Sequence, residues 1–362
     1  MSSLRRQESR IVTCSCSADN ATETRYDAAM NTFWEALPQP AIVLAPMADV
    51  TDAAFRAMFA KYGPPHVMWT EFVSADGLYH TRALQHMPDA ENPLMRDLVF
   101  GADERPIVAQ LFSAHPSMME YGASVVAELG FDGIDINMGC PDKSIEKQGA
   151  GAALMKDPTR ARELIRAAKR AGGGLPVSVK TRVGYNQVEL ETWLPELLAE
   201  EPAAVTIHAR TRKEMSLVPA RWEHVAHAVA LRNELAPNTK ILGNGDVQTL
   251  EEAYTKAAQT GADGVMIGRG IFGNPWFFSG LTNATHESHA PTVAEKLRAL
   301  VEHCELFERH CSHKSFAVMK KHFKAYAHGF PGASELRTAL MQCEHAHAVE
   351  VCLSAWLEHS TV

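Results

Sequence analysis

The stretch GIDINMGCP (residues 133–141) begins as a buried strand and ends as something else. Packing accounts for Ile134 and Ile136, which flank Asp135. It does not account for Asn137, Gly139, Cys140 and Pro141, a polar side chain and a thiol set just ahead of a glycine-bearing loop over residues 142–153.

Seven more apolar runs accompany it: AIVLAPM (41–47), HVMWTEFVSA (66–75), PIVAQLFSA (106–114), PVSVKTRVG (176–184), AVTIHART (204–211), TKILGNGDV (239–247) and GVMIGRGI (264–271). Between most of them lie amphipathic segments such as TRARELIRAAKRAG and TLEEAYTKAAQTG. Each of these ends on a glycine suited to a helix C-cap. Continuous apolar strands alternating with helices are the mark of a buried parallel sheet. Eight such units between residues 41 and 280 match the usual ~250-residue size of an α/β (β/α)8 TIM barrel. A doubly wound sheet competes, but it calls for a G-x-G-x-x-G turn after the first strand. The corresponding LAPMADVTD has no glycine.

Polar residues favour the barrel. Met47, Glu71, Gln110, Asn137 with Cys140, Lys180 with Arg182, His208 with Arg210, Asn244 with Asp246, and Arg269 all stand where an apolar run ends. In a barrel those ends share one rim, where active sites form. Phosphate sites in such barrels follow the seventh and eighth strands. Here those strands end in GNGD (243–246) and GRG (268–270). Glycines let the backbone N–H groups approach an anion closely. A phosphorylated cofactor with a flat polar ring, such as a flavin, suits this rim, with Lys180 and Gln110 reaching the ring. Plain turns would also use these glycines. Cys140 is a proton-donor candidate, since a free thiol is mostly protonated at neutral pH; a small buried hydrophobe is the competing role. Residues 142–153 could close over the mouth as a lid, with Gly149 and Gly151 giving mobility.

The chain of 362 residues carries a formal net charge of −8. Such a balance excludes nucleic-acid wrapping by the whole surface and leaves room for a local basic patch. No apolar run is long enough to span a bilayer, so no membrane partner is expected. Seven scattered cysteines read as reduced thiols in the cytoplasm. Cys14 and Cys16 lack a second pair at zinc spacing, and EHAHAVEV (344–351) reads as helix surface, so no metal is expected. Residues 1–37 are polar; Arg5, Arg6 and Arg10 suggest a leader, but Glu8, Asp19 and Glu23 argue for a disordered extension. After a catalytic barrel over 38–284, residues 285–362 read as a small helical domain, with helices over 292–311, 315–328, 333–344 and 346–358. It contains KSFAVMKKHFKAYAHG, in which Lys314, Lys320, Lys321 and Lys324 lie among Phe323 and Tyr326. This is either a nucleic-acid contact or a solvated face over an aromatic core.

From residue 41 to 340 the chain resembles the tRNA-dihydrouridine synthases. APMADVTDAAFR, DINMGCP, KTRVG, HARTR, NGDV and GRGIFGNPW are similar to that family's motifs, in its order, and FAVMKKHFKAYAHGFPGASELR resembles its helical tRNA-binding segment. The resemblance implies FMN lying on Pro46 and Met47, its ring read by Gln110 and Lys180 with His208 nearby. Its phosphate would rest on Asn244, Gly245, Asp246, Gly268 and Arg269. It further implies Cys140 as proton donor, with Asn137, Arg182 and Arg210 around the substrate base and Lys320 and Lys321 on the RNA. NADPH would be the reductant, tRNA the partner, and the protein a monomer. Asp49 stands where many members have glycine, and Met215, Leu217 and Val218 depart from the family near the substrate. Two alternatives remain at this point: a flavin barrel acting on a free small molecule such as dihydroorotate, and a non-catalytic tRNA-binding protein.

Overall fold

The computed structural model describes residues 32–282 and 287–359. Cys14, Cys16 and the N-terminal arginines lie outside the described residues. All eight expected strands form: β1 (Ala41–Leu44), β2 (Met68–Ser74), β3 (Ile107–Phe112), β4 (Gly133–Met138), β5 (Val177–Arg182), β6 (Ala204–His208), β7 (Lys240–Asn244) and β8 (Gly264–Ile267). They pair in parallel in the order β1-β8-β7-β6-β5-β4-β3-β2. Bonds from His66 N to the Ile42 carbonyl (2.9 Å) and from Leu44 N to the Val67 carbonyl (3.1 Å) join β1 to the lead-in of β2. These close the ring into a (β/α)8 barrel.

The strands are shorter than their apolar runs because the last residues of each run leave the sheet to build the rim. Alternation along each strand sorts the side chains. Ile42, Ile107, Ile134, Ile136, Val179 and Ile267 face outward, into the large apolar layer beneath the helices. Full burial of one such side chain contributes roughly 1.5–3 kcal/mol. The intervening residues face inward and meet in layers fixed by register. Gln110, Asp135 and Ser178 are paired neighbours, as are Asn137, Lys180 and Thr206 one step higher, and Arg182, His208 and Asn244 at the top. Asp135 between two isoleucines is therefore an inward polar residue whose immediate neighbours pack outward.

The extension expected over residues 1–37 gives way to structure before its predicted end. Phe33–Ala36 form a helical turn that places Trp34, 3% exposed, among Val43, Val108, Leu242 and Met266. The indole lies 6.1 Å from the ring of Trp69 and closes the end of the barrel where the strands begin. An indole of this size recovers enough buried apolar area to offset the ordering of one short turn.

Beyond the barrel, helices Val293–His310, Lys320–Tyr326, Ala333–Leu340 and Ala346–His359 gather around a second apolar cluster that includes Leu300, Phe307, Met319, Phe323, Leu336 and Val349. Thr292 and Glu295 form a capping box at the start of the first of them. Barrel helix Ala53–Tyr62 contributes Ala54 and Met58 to this cluster, so the two apolar units are packed together. No helix among the described residues is long and apolar enough to cross a membrane.

Candidate active site

One open cleft of about 720 Å3 lies at the strand C-terminal ends. Pro46, Met47, Lys180, His208, Arg210, Asn244, Gly245, Asp246, Gly268 and Arg269 line it. The glycines at its edge serve close approach: a Cβ at Gly270 would collide with the Val247 carbonyl. Next to it, Arg269 is largely exposed and stands 3.4 Å from Asp246.

The groups around the cleft are held by one another. Lys180 donates to Asn244 Oδ1 (3.2 Å), and Asn244 Nδ2 donates to the Met266 carbonyl (2.8 Å). Burial, followed by the nearby Arg182 cation, pulls the Lys180 ammonium down to about 8. His208 is held well below its ordinary value by burial and by the surrounding cations Lys180, Arg182, Arg210 and Arg269. It is therefore neutral, and Arg210 Nη1, always a donor, points at its Nε2 at 3.3 Å. The network thus assigns the ring proton to Nδ1. Arg210 also donates to the Val218 carbonyl (2.6 Å) and pairs with Asp246. The Asp246 carboxylate is occupied by Arg210, by Ala220 N (2.8 Å) and by Arg269, which leaves its backbone for an anion.

Cys140 stands beside this cleft, half-buried, after β4. Its N–H and that of Gly139 both donate to Asn137 Oδ1, at 2.9 and 3.2 Å. Asn137 Nδ2 donates to Gln110 Oε1 (3.0 Å), Gln110 Nε2 donates to Asp135 (2.6 Å), and Ser178 donates to the other Asp135 oxygen (2.5 Å). A polar column thus rises through the barrel and ends on the backbone of Cys140. Burial raises the Asp135 carboxyl to about 6. Gln110 lies within this column, fully buried, and is not part of the cleft wall. Burial also pushes the Cys140 thiol up, so at neutral pH it holds its proton.

Three expected contacts are placed differently. Arg182 is buried and donates to the carbonyls of Gly139 (2.8 Å), Thr211 (3.2 Å) and Met215 (2.9 Å); it clamps the Cys140 loop to the loop after β6. The segment 142–153 is seated: Ile145 and Ala150 pack on Phe112, and Glu146 pairs with Arg212. Gly151 has φ 62°, and a Cβ there would stand 2.8 Å from the Cys140 carbonyl, so this glycine permits a close approach. The basic–aromatic segment divides in two. Phe323, Tyr326 and His322 are core, while Lys321 and Lys324 are exposed and Lys320 is half-buried. Lys314 is not on that surface; it is paired with Glu71 and, at 3.0 Å, with Asp97. Nothing in the residue order announces this junction, because Glu71 and Lys314 are 243 positions apart. Cys304 and Cys311 are buried packing residues, and among the described residues no group of His, Cys, Asp and Glu could hold a metal ion.

The family model described as "Dihydrouridine synthase (Dus)" matches residues 43–359. The "Probable tRNA-dihydrouridine synthase 2" of Bacillus subtilis is 41% identical over 324 residues, covering 89% of this chain and 95% of that protein. A "Probable tRNA-dihydrouridine synthase" of Staphylococcus epidermidis is 40% identical over 315 residues, covering 86% and 92%. Among solved structures, histamine dehydrogenase from Rhizobium sp. 4-9 aligns with TM-score 0.51 at 12% identity, over 73% of this chain and 48% of that one, a likeness of fold alone. A match to nearly the whole barrel and helical segment, at this identity, places the chain in the dihydrouridine synthase family.

Proposed function

We propose that this protein is an FMN-dependent tRNA-dihydrouridine synthase that reduces the 5,6 double bond of uridine in tRNA, with NADPH as reductant and Cys140 as proton donor. The observation that carries the reading is the meeting of a protonated thiol, fixed by Asn137, with a cationic, glycine-edged cleft on the same rim. The donor set fits the cofactor: Lys180 and a neutral His208 suit a polar ring edge, while Gly245, Gly268 and Arg269 suit a phosphate. Pro46 and Met47 offer a wall for one ring face, and Gln110 acts from the layer below by holding Asn137.

When bound, FMN supplies the hydride that adds to one carbon of the uracil double bond. Cys140 Sγ gives its proton to the other carbon. Asn137 fixes the backbone that carries this sulfur, and Arg182 holds the same loop at Gly139. Arg210 is positioned by the Val218 carbonyl and Asp246 to read the polar edge of the base. The base must leave its stack to enter, at a cost of roughly a few kcal/mol. In the same proposal, residues 38–284 carry the chemistry and 285–362 the tRNA, with exposed Lys321 and Lys324, and Lys320 beside them, meeting phosphates.

Nucleoside mass spectrometry on unmodified tRNA, incubated with the protein, FMN and NADPH, tests the reading. The expected result is uridine gaining two hydrogens at a defined position. A yellow, NADPH-reducible protein that leaves tRNA unchanged would instead favour a small-molecule substrate.

A further inference from the structure

The loop after β1 lies between the cleft and the helical unit. On one side, Met47 lines the cleft, and its sulfur would stand 3.4 Å from a Cβ placed on Gly268. On the other side, Asp49 adopts a left-handed conformation, φ 52°, which a non-glycine residue holds only when its surroundings fix it. Three side chains supply that fixing. Glu71 accepts the Asp49 N–H through one carboxylate oxygen. Its other oxygen accepts from Lys314 of the helical unit, which also pairs with Asp97 at 3.0 Å; His313 reaches Asp97 at 2.8 Å. Lys321, also of the helical unit, donates to the Asp49 carbonyl at 2.8 Å. Glu71 and Lys314 are almost fully enclosed, at 7% and 12% side-chain exposure.

The turn between Asp49 and Met47 is stiff. Val50 N and Thr51 N donate to the Met47 carbonyl at 3.1 and 3.0 Å, and Thr51 Oγ1 accepts from Met47 N at 3.0 Å. Displacing Asp49 therefore displaces Met47. We infer that Lys314 and Lys321 are positioning residues for the cofactor cleft: through Glu71 and Asp49 the helical unit sets the loop that forms the floor of the FMN site. The cleft is then fully shaped only when the helical unit is docked, and by linkage FMN strengthens that docking by the same factor. This inference rests on the cleft being the FMN site.

The test strips the full-length protein of flavin and titrates it with FMN, following flavin fluorescence. Lys314→Met is expected to raise the FMN Kd at least about fivefold, with Lys314→Arg recovering most of the loss. Adding FMN to wild type should slow amide hydrogen exchange across Lys320–Tyr326, and this slowing should vanish in Lys314→Met. A folded Lys314→Met protein with wild-type FMN affinity and wild-type exchange slowing overturns the inference. Should Lys314→Met not fold, Lys321→Met decides the matter, because its partly exposed ammonium is dispensable to the core: a raised Kd supports the coupling and an unchanged one overturns it. If wild type does not bind FMN at all, the reading of the cleft fails first, and separately.

Discussion

Asn137 holds Cys140 by the backbone, not by the thiol: its Oδ1 receives the N–H groups of Gly139 and Cys140 together. The backbone of Asp142 is the sulfur's own hydrogen-bonding neighbour, while its carrier peptide is fixed from below by Asn137. A strand that ends Asn-Met-Gly-Cys-Pro is therefore a mount for the peptide that carries the thiol.

Cys140→Ala keeps that mount and removes the proton. It is expected to bind FMN and to be reduced by NADPH as wild type, yet to form dihydrouridine on the order of 10²–10⁴-fold more slowly. Single-turnover assays read by mass spectrometry would show it, and dihydrouridine formed at the wild-type rate would remove the thiol from its role.

Lys180 links cofactor affinity to pH. Its value in the flavin-free protein is lowered to about 8 by burial first and Arg182 second, so the ammonium is present below that pH and lost above it. An anionic cofactor bound through this cation should dissociate more readily as pH rises through 8 to 9. The slope should disappear in Lys180→Met, whose affinity is low throughout. The same lowered value also fixes the sign for stability. Burial penalises the charged form, so the penalty is complete below the folded value and fades as pH rises toward the unfolded value near ~10.4. Flavin-free wild type should accordingly gain stability between pH 8 and 10 relative to Lys180→Met, measured by urea melts.

Arg212→Ala tests the seated segment after Cys140. Without its pair, Glu146 loses the contact that ties residues 143–151 to the loop after β6. Hydrogen exchange there should speed up and KM for tRNA should rise, while FMN affinity stays unchanged. Unaltered exchange would mean that the packing of Ile145 and Ala150, with the Tyr185 bond to Glu146, holds the segment without Arg212.

Glu104→Ala addresses the barrel itself. Arg56 is fully buried and donates to Glu104 (2.5 Å) and to the carbonyls of Thr51 (2.7 Å) and Val99 (2.6 Å). Removing the carboxylate leaves an enclosed cation uncompensated, which typically costs about 3–5 kcal/mol. Denaturant unfolding should register that loss.

The strands were legible because a parallel barrel buries both faces of its sheet, so each appears as an apolar run whose polar exceptions matter. Lys180, His208 and Asn244 were visible as such exceptions at run ends, and register stacks Lys180 one layer below His208 and Asn244 on the same rim. Gln110 was visible as well, but sequence does not separate a residue on the cleft wall from one a layer below it. Arg182 looked like a free cation, because nothing in KTRVG announces that three carbonyls will surround it. Lys314 was misplaced for a related reason. Four lysines in one short segment look equivalent until the fold brings one of them to the Glu71 carboxylate of β2, 243 positions earlier. Trp34 was passed over because it sits in a polar extension, and a single aromatic gives no periodic signal.

Trp34 has a kinetic consequence. With the indole stopping the far end of the barrel, the cleft opens at the strand C-terminal ends. On the function proposed above, nicotinamide and nucleic acid both use that opening, and alternating occupancy is the expected order. Initial-rate plots for the two substrates should then run as parallel lines, the signature of a protein that lets one visitor out before admitting the next.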